Sequence, residues 1–320
     1  MKIKPNNPIT TVPTFAKKTV AAVTLNLVVL MLALSHAPVA SAQVIASDDF
    51  ETYTAGVNNL QGGAGGSGWA AGWLAPVGST GASVVDTTGN PLSITPSGGS
   101  LISGGTRAGQ GYSTVLGGAG NNVATARALS SGLTGSFYVS YLLRYENSGS
   151  GNYDANNTFS LHLSSTATST ASMNFGIRGA VLAGDVDTFM VRSGTGTPAA
   201  GASITNALVT DSTYLLVAQL IYSGNNTYDT INMWVNPAAN TPGTPTVTLS
   251  LAAGAGLGQI NHVFFRSAAN TADDLYQFDN LILGRTWADV VPVPEPGSLA
   301  LLALGGAALF VFRRRIGRQV

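Results

Sequence analysis

The sequence predicts an all-β domain built as a two-sheet sandwich or a barrel, and three observations carry that prediction. Nine runs of strand length lie between Phe137 and Leu283, turn residues separate them, and no stretch from Gln43 to Val291 keeps a 3.6-residue apolar period. The runs are Phe137 to Tyr145, Thr158 to Leu163, Ser172 to Arg178, Asp187 to Arg192, Tyr214 to Tyr222, Asp229 to Val235, Thr246 to Leu251, His262 to Arg266 and Tyr276 to Leu283. Phe159, Leu161 and Leu163 alternate with Ser160, His162 and Ser164, and Ile231, Met233 and Val235 with Asn232 and Trp234, which predicts one buried and one wetter face. The turns are marked by Ser223-Gly224-Asn225-Asn226, Asn236-Pro237 and Thr241-Pro242-Gly243. From Val44 to Gly120 the chain is rich in Gly, Ser and Thr. This predicts short strands joined by wide loops, with Gly62-Gly63-Ala64-Gly65-Gly66 the most flexible stretch.

The two ends differ from this middle. At the amino end a basic region closes at Lys17-Lys18, an apolar core runs from Thr19 to Leu34, and Ala40-Ser41-Ala42 supplies small residues for cleavage. Residues 1–42 therefore read as a secretory signal helix, handed to the Sec translocon and cut after Ala42. The competing reading is a buried or spanning helix, and about 16 apolar residues fall short of the roughly 20 that cross a bilayer. At the other end residues 291–320 carry Val293-Pro294-Glu295-Pro296, an apolar helix-forming run from Ser298 to Phe312, and Arg313-Arg314-Arg315. The two prolines hold Glu295 in extended chain that a protease can reach. The apolar run spans roughly 22 Å against a hydrocarbon core of about 30 Å, which suits a marginal or temporary span. The arginine triplet stays cytoplasmic by the positive-inside rule, leaving residues 43–290 outside.

Formal charge sums to zero, but it is segregated. All four lysines lie in the first 18 residues and four of eleven arginines in the last eight. Gln43 to Val291 holds twelve Asp and two Glu against seven Arg and no Lys, a net −7. An acidic, lysine-free domain has no electrostatic footprint for nucleic acid. Cysteine is absent, which removes disulfides, thiolate metal sites and thiol nucleophiles, so burial must hold the domain. About 250 residues suffice for one large core.

Tyr214 to Asn236 (YLLVAQLIYSGNNTYDTINMWVN) followed by Pro237 resembles the paired strands of concanavalin A-like, laminin-G-like jelly rolls. Asp49-Phe50-Glu51 with Tyr53, the glycine-rich step to Gly68-Trp69, and Gly72-Trp73 resemble the opening of that group. Phe278 to Gly284 with Thr286 to Val290 resembles its closing strand. The resemblance implies a jelly-roll sandwich whose first and last strands lie together. The carboxyl end resembles the PEP-CTERM sorting signal of Gram-negative envelope proteins, with all three parts in order. That implies transient anchoring in the inner membrane, cutting near the motif by an exosortase, and release to the cell surface or extracellular matrix. A permanent single-pass anchor is the alternative.

Catalytic constellations are missing. Jelly rolls of this kind include glycosidases, which need paired carboxylates, yet Glu51 and Glu146 stand far apart and neither sits in the Glu-x-Asp-x-x-Glu strand of the laminarinase-like group. Asp185 and Asp187 share a face of extended chain and read better as a polar turn, as do Asp273-Asp274. His162 and His262 stand alone, and no nucleophile elbow, P-loop or dinucleotide fingerprint is present. The resemblance also implies a structural calcium where first and last strands meet, with Asp49 and Asp279 in the two segments; capping of the closing strand is the alternative for Asp279. Trp69 and Trp73 either plug the sandwich edge or display a surface for sugars. Core packing is the ordinary role for Tyr112, Tyr141, Tyr145 and Trp234. These readings point to a non-enzymatic exported envelope or matrix protein, with a lectin-like polysaccharide-binding module as alternative and a divergent glycosidase behind both. A sheet face lined by Trp or Tyr with amides would favour the lectin, and one closed by Ser and Thr a structural role.

Overall fold

The structure is a computed structural model that describes residues 43–54, 60–76, 82–86, 92–103, 106–111, 123–147, 157–167, 172–179, 188–194, 201–204, 208–239, 241–268 and 274–291. Ala40, Ala42, the sorting motif Val293 to Pro296, Arg313 to Arg315, Asp185, Asp187 and Tyr112 lie outside the described residues.

Sixteen strands and one short helix are seen among the described residues: β1 (Val44–Asp48), β2 (Ser83–Asp86), β3 (Ser93–Ile94), β4 (Ile102–Ser103), β5 (Thr106–Gly111), β6 (Val123–Leu133), β7 (Phe137–Asn147), β8 (Thr158–Ser164), β9 (Ser172–Arg178), β10 (Thr188–Ser193), β11 (Gly201–Ile204), β12 (Thr213–Tyr222), β13 (Tyr228–Val235), β14 (Val247–Ser250), β15 (Ile260–Ala268), β16 (Asp274–Gly284) and α1 (Trp287–Val290). All nine expected strands are present, each within two residues of its expected ends. β6 has no counterpart in the expectation, because its sequence VATARALSSGL sets small residues where a strand usually declares itself with large apolar ones.

The larger sheet runs β14-β13-β12-β7-β16-β5-β2 with β1 also on β16, and the smaller runs β11-β10-β9-β8-β15-β6. Every ladder in them is antiparallel. This is the sandwich the alternation predicts. First and last strands meet as the jelly-roll resemblance implies, with Ser47 opposite Ile282 and Asp48 opposite Leu281. Between the sheets lies an apolar core that includes Phe159, Leu161, Leu163, Tyr141, Tyr145, Val263, Phe265, Phe278 and Leu283.

Alternation fails on the expected wetter faces, in two places. Trp234 is buried on the outer side of the larger sheet, in a second cluster with Leu92, Ile102, Leu215, Val217, Trp287 and Val291. The β3-β4 hairpin and α1 supply that cover, and Trp287 anchors it by donating its indole N–H to the Ala239 carbonyl at 2.8 Å. Ser160, His162 and Ser164 are buried too, along with Ser172 and Asn174 on the neighbouring strand. Two of them are satisfied by the buried imidazole, as required when polar atoms leave water: the His162 Nε2 lies 2.9 Å from the Ser160 Oγ and its Nδ1 2.9 Å from the Ser172 Oγ.

The glycine-rich stretch is the reverse of flexible at its carboxyl half. Ser47 and Ser67 exchange backbone hydrogen bonds of 3.0 and 2.9 Å, and isolated bridges tie Trp69 to Leu129 and Leu74 to Ala126. A Cβ on Gly66 would lie 2.0 Å from the Ser47 carbonyl oxygen, and one on Gly68 2.1 Å from that of Ile45. Glycine is used here for close approach of backbones, joining β1 to β6 across the sandwich edge.

Candidate functional site

Two groups of arginines set the chemistry of this domain. The first is internal. Arg127 projects inward from β6, where it is 2 % exposed, and meets Asp48 at the end of β1 with Nη1 2.5 Å from Oδ2. The same carboxylate oxygen accepts from the Tyr53 hydroxyl at 2.6 Å and the Trp73 indole at 2.8 Å, while Oδ1 accepts from the Phe50 amide at 3.0 Å. Burial first, then the bond to Asp48, pushes the Tyr53 hydroxyl far above its ordinary pKa, so it remains a donor. Arg127 Nε donates to the Ala71 carbonyl at 2.8 Å, and the guanidinium lies 4.9 Å from the Trp69 ring and 5.6 Å from that of Trp73.

The two tryptophans differ in their surroundings. Trp73 is fully buried against Phe50 and Phe265, so it plugs the edge and offers no surface to a sugar. Trp69 keeps partial exposure, with its indole N–H spent on the Ser47 carbonyl at 2.9 Å. Tyr141 and Tyr145 are core residues, fully buried.

The expected calcium ligands are not assembled. The strands carrying them meet, but the buried acid there is Asp48, already neutralised by Arg127. Asp49 is exposed and accepts from the Glu51 amide at 3.3 Å. Asp279 is buried beside a bulge, on the other side of its sheet, and accepts from the Asn280 amide at 2.7 Å. Among the described residues no group of three or more His, Asp or Glu comes together to hold a metal ion.

The second arginine group lies on the outer face of the smaller sheet. Strand register fixes its layout: Met190, Gly176, Ser160 and Arg266 form one row across β10, β9, β8 and β15. One outward position further along β10 stands Arg192, in a row with Asn174, His162 and Phe264, and in the opposite direction along β9 stands Arg178. The row residues are buried and the three arginines half-buried, which leaves the guanidiniums as the accessible layer. At the described outward positions of β6, β8, β9, β10 and β15 there is no Asp or Glu.

Burial lowers the Arg192 pKa, and the like charges of Arg266 and Arg178 lower it further; burial does the same to Arg266. Arginine nonetheless stays charged. His162 is held well below the usual histidine range by burial and then by Arg266 and Arg192, so it is neutral at pH 7. Its ring stacks on Phe264 at 4.6 Å. With both nitrogens bound to serines, it is a rigid part of the floor and cannot serve as a proton carrier. Arg192 Nε donates to the Asn174 Oδ1 at 3.3 Å, and Asn174 Nδ2 to the Gly194 carbonyl at 3.0 Å. This face is therefore not an aromatic groove, and Thr158, Ser160, Ser164, Ser172 and Thr188 stand at its outward positions. Its buried floor mixes Ser160, Gly176 and Asn174 with His162, Met190 and Phe264, beneath three half-buried arginines. The sequence contains the clue, since three of the nine strand runs end on an outward-phased arginine, SMNFGIR, DTFMVR and HVFFR, but β15 joins the other two only through the fold.

Residues 292–315 match the PEP-CTERM protein-sorting motif, which marks the chain as an exported, exosortase-sorted protein of the Gram-negative kind with transient membrane anchoring. No curated protein matches the chain. Among solved structures, the endo-β-1,4-glucuronan lyase of the fungus Trichoderma reesei is 12% identical, with 75% of this chain and 97% of that one covered and a TM-score of 0.42. A cellulose-induced protein, Cip1, is 17% identical over 75% and 97% with a TM-score of 0.44. The legume lectin-like domain of Entamoeba histolytica is 10% identical over 59% and 88% with a TM-score of 0.40. Likeness at this distance carries no further argument, and the strand pairing itself gives a two-sheet jelly-roll sandwich, first strand beside last, in a chain that ends in a sorting motif.

Proposed function

We propose that this chain is a non-enzymatic protein of the cell envelope or extracellular matrix, exported through the Sec translocon and freed from a temporary inner-membrane anchor by an exosortase-type enzyme. The observation that carries the reading is the tail: Pro294-Glu295-Pro296 before a span too short for a comfortable anchor, closed by Arg313 to Arg315. Intact mass of surface-exposed material tests it. The expected mass begins at Gln43 and ends near the motif; retention of Arg313 to Val320 on that material overturns the processing. Glu295→Ala is expected to hold the protein in the inner-membrane fraction.

A second reading adds a ligand, and the three-arginine face favours it: the sandwich is a lectin-like module that holds extracellular polysaccharide on the outer face of the six-stranded sheet. It is supported by a concentration of donors on one face of an otherwise acidic domain. Binding without turnover is the expectation, because no carboxylate stands at the described outward positions of that face to pair with its histidines. Release of reducing or unsaturated sugar ends from a polysaccharide by the purified protein would overturn the non-enzymatic assignment.

A further inference from the structure

We infer that Asp289 is the receptor for the mature amino terminus: cutting after Ala42 frees the α-amino group of Gln43, which pairs as an ammonium with the Asp289 carboxylate. This rests on the export reading above, with residues 1–42 removed as a signal. In the uncut chain the Gln43 amide already donates to Asp289 Oδ1 at 3.0 Å, across 246 positions of sequence. Cutting turns that neutral, one-hydrogen donor into a charged group with three hydrogens at the same place, and a charge-assisted bond is roughly twice as strong as a neutral one.

Both partners are held. The Gln43 carbonyl accepts from the Arg285 amide at 3.3 Å, and the next residue, Val44, stands opposite Gly284. Asp289 Oδ2 accepts from the Thr286 amide at 2.7 Å, and a Cβ on Gly284 would lie only 2.3 Å from the Asp289 Cβ, so α1 sits directly on the end of β16. The helix is fixed in turn by the Trp287 indole on the Ala239 carbonyl and by the Ser140 hydroxyl on the Val290 carbonyl at 2.7 Å.

The carboxylate has no cation of its own. Asp289 is 8 % exposed, its carboxylate oxygens are met by two backbone amides, and among the described residues no guanidinium pairs with it. Enclosing a carboxylate with neutral donors alone is costly, and the domain has no lysine to offer, since all four lie before residue 19. The freed amine is the cation that signal removal delivers. Its placement also ties the two processed ends together, because Val291, two residues beyond Asp289, immediately precedes the sorting motif of residues 292–315. Cutting the amino end therefore tightens the seam from which the carboxyl-terminal signal leaves. An ammonium has no lone pair, so the pairing also keeps Gln43 from closing its amine onto its own side-chain amide carbon with loss of ammonia.

A protein beginning at Gln43 has a single primary amine, its own terminus, which makes amine labelling specific. The full-length precursor is expressed with Sec export, the exported protein is recovered, and acylation of its amine near neutral pH is timed by intact mass, folded and in denaturant. The parent is expected to label about tenfold more slowly folded than denatured, one pKa unit of extra stabilisation of the ammonium. Asp289→Asn, which keeps an acceptor for Thr286, is expected to lose that difference and to shed ammonia on storage while the parent keeps an open glutamine. A threonine inserted between Ala42 and Gln43, which moves the amine one residue away, is expected to lose the difference too, and it decides alone should Asp289→Asn lose its melting transition. Asp211→Asn is expected to label like the parent, since Asp211 is bonded at the Tyr145 end of β7 and Gly284 stands opposite Tyr138 at the other. Parent and variants that label alike, or a parent that has already lost ammonia, overturn the pairing and keep the export reading. An exported protein that begins elsewhere than at Gln43 overturns both the pairing and the cut after Ala42.

Discussion

Arg127 and Arg192 are the same residue in two settings. Arg127 is fully enclosed and touches a carboxylate, a carbonyl and two indole rings; Arg192 is half-buried, touches an amide, and feels two other arginines. An arginine given everything it needs inside the protein is part of the architecture. An arginine half-buried among like charges on a sheet face is reachable from outside the domain. The contrast separates what holds this domain together from what it presents to its surroundings, and it can be attacked from either side.

The largest effect belongs to Arg127. Arg127→Met leaves Asp48 buried with three neutral donors and no cation, which is expected to cost about 3–5 kcal/mol of stability by denaturant unfolding. Adding Asp48→Asn is expected to recover only part of that, because Tyr53 and Trp73 both aim hydrogens at the lost carboxylate oxygen. A single variant as stable as the parent would mean that the node is not architectural.

Next comes the glycine plug. Gly62 and Gly66 both have positive φ, +79° and +72°, but a Cβ on Gly62 meets nothing within 4 Å while one on Gly66 runs into the Ser47 carbonyl. Gly62→Ala is therefore expected to cost about 1 kcal/mol from backbone strain alone, and Gly66→Ala about 2 kcal/mol or more. Equal losses in melting temperature would show that β1 and this segment are not pressed together.

The same segment shows what could be read from the sequence. Nine strands and the sandwich class were legible, since period-two patterning and turn chemistry are local properties, whereas the meeting of first and last strands was implied by the jelly-roll resemblance alone. Glycine content was misleading, because the residues that permit mobility also permit close backbone contact, and only Ser47 lying opposite Ser67 distinguishes the two. Trp73 had two open roles in the sequence and has one in the fold. Arg178 and Arg192 were each visible as strand ends, but their grouping with Arg266 depends on β15 pairing with β8 across nearly a hundred residues of chain. Asp48 was overshadowed by its neighbour Asp49, and strand phase decides between them: Asp48 faces the core and Asp49 is exposed.

His162 tests the floor beneath the exposed arginines. Its folded pKa lies well below the ordinary 6.5, so the unfolded chain takes up the proton first as pH falls. Stability is therefore complete above about pH 6.5 and declines on acidification toward the folded pKa, by up to about 1.4 kcal/mol per pH unit at the steepest. His262 is the other described histidine on this face, and Arg192 and Arg266 do not titrate in that range. His162→Gln is expected to flatten the slope between pH 6.5 and 5. An unaltered slope would mean that the imidazole is not enclosed as described.

The smallest effect is expected at Arg192 itself, and its sign carries the comparison. Arg192→Gln removes one charge from three and keeps a group that can meet Asn174, so unfolding free energy should move by no more than about 0.5 kcal/mol. The direction should be toward greater stability at low ionic strength, where repulsion from Arg178 and Arg266 is least screened, with the difference shrinking in about 0.5 M salt. A loss comparable to that of Arg127→Met would place Arg192 in the architecture, with a counterion of its own, and the three-arginine face would then be a network already satisfied.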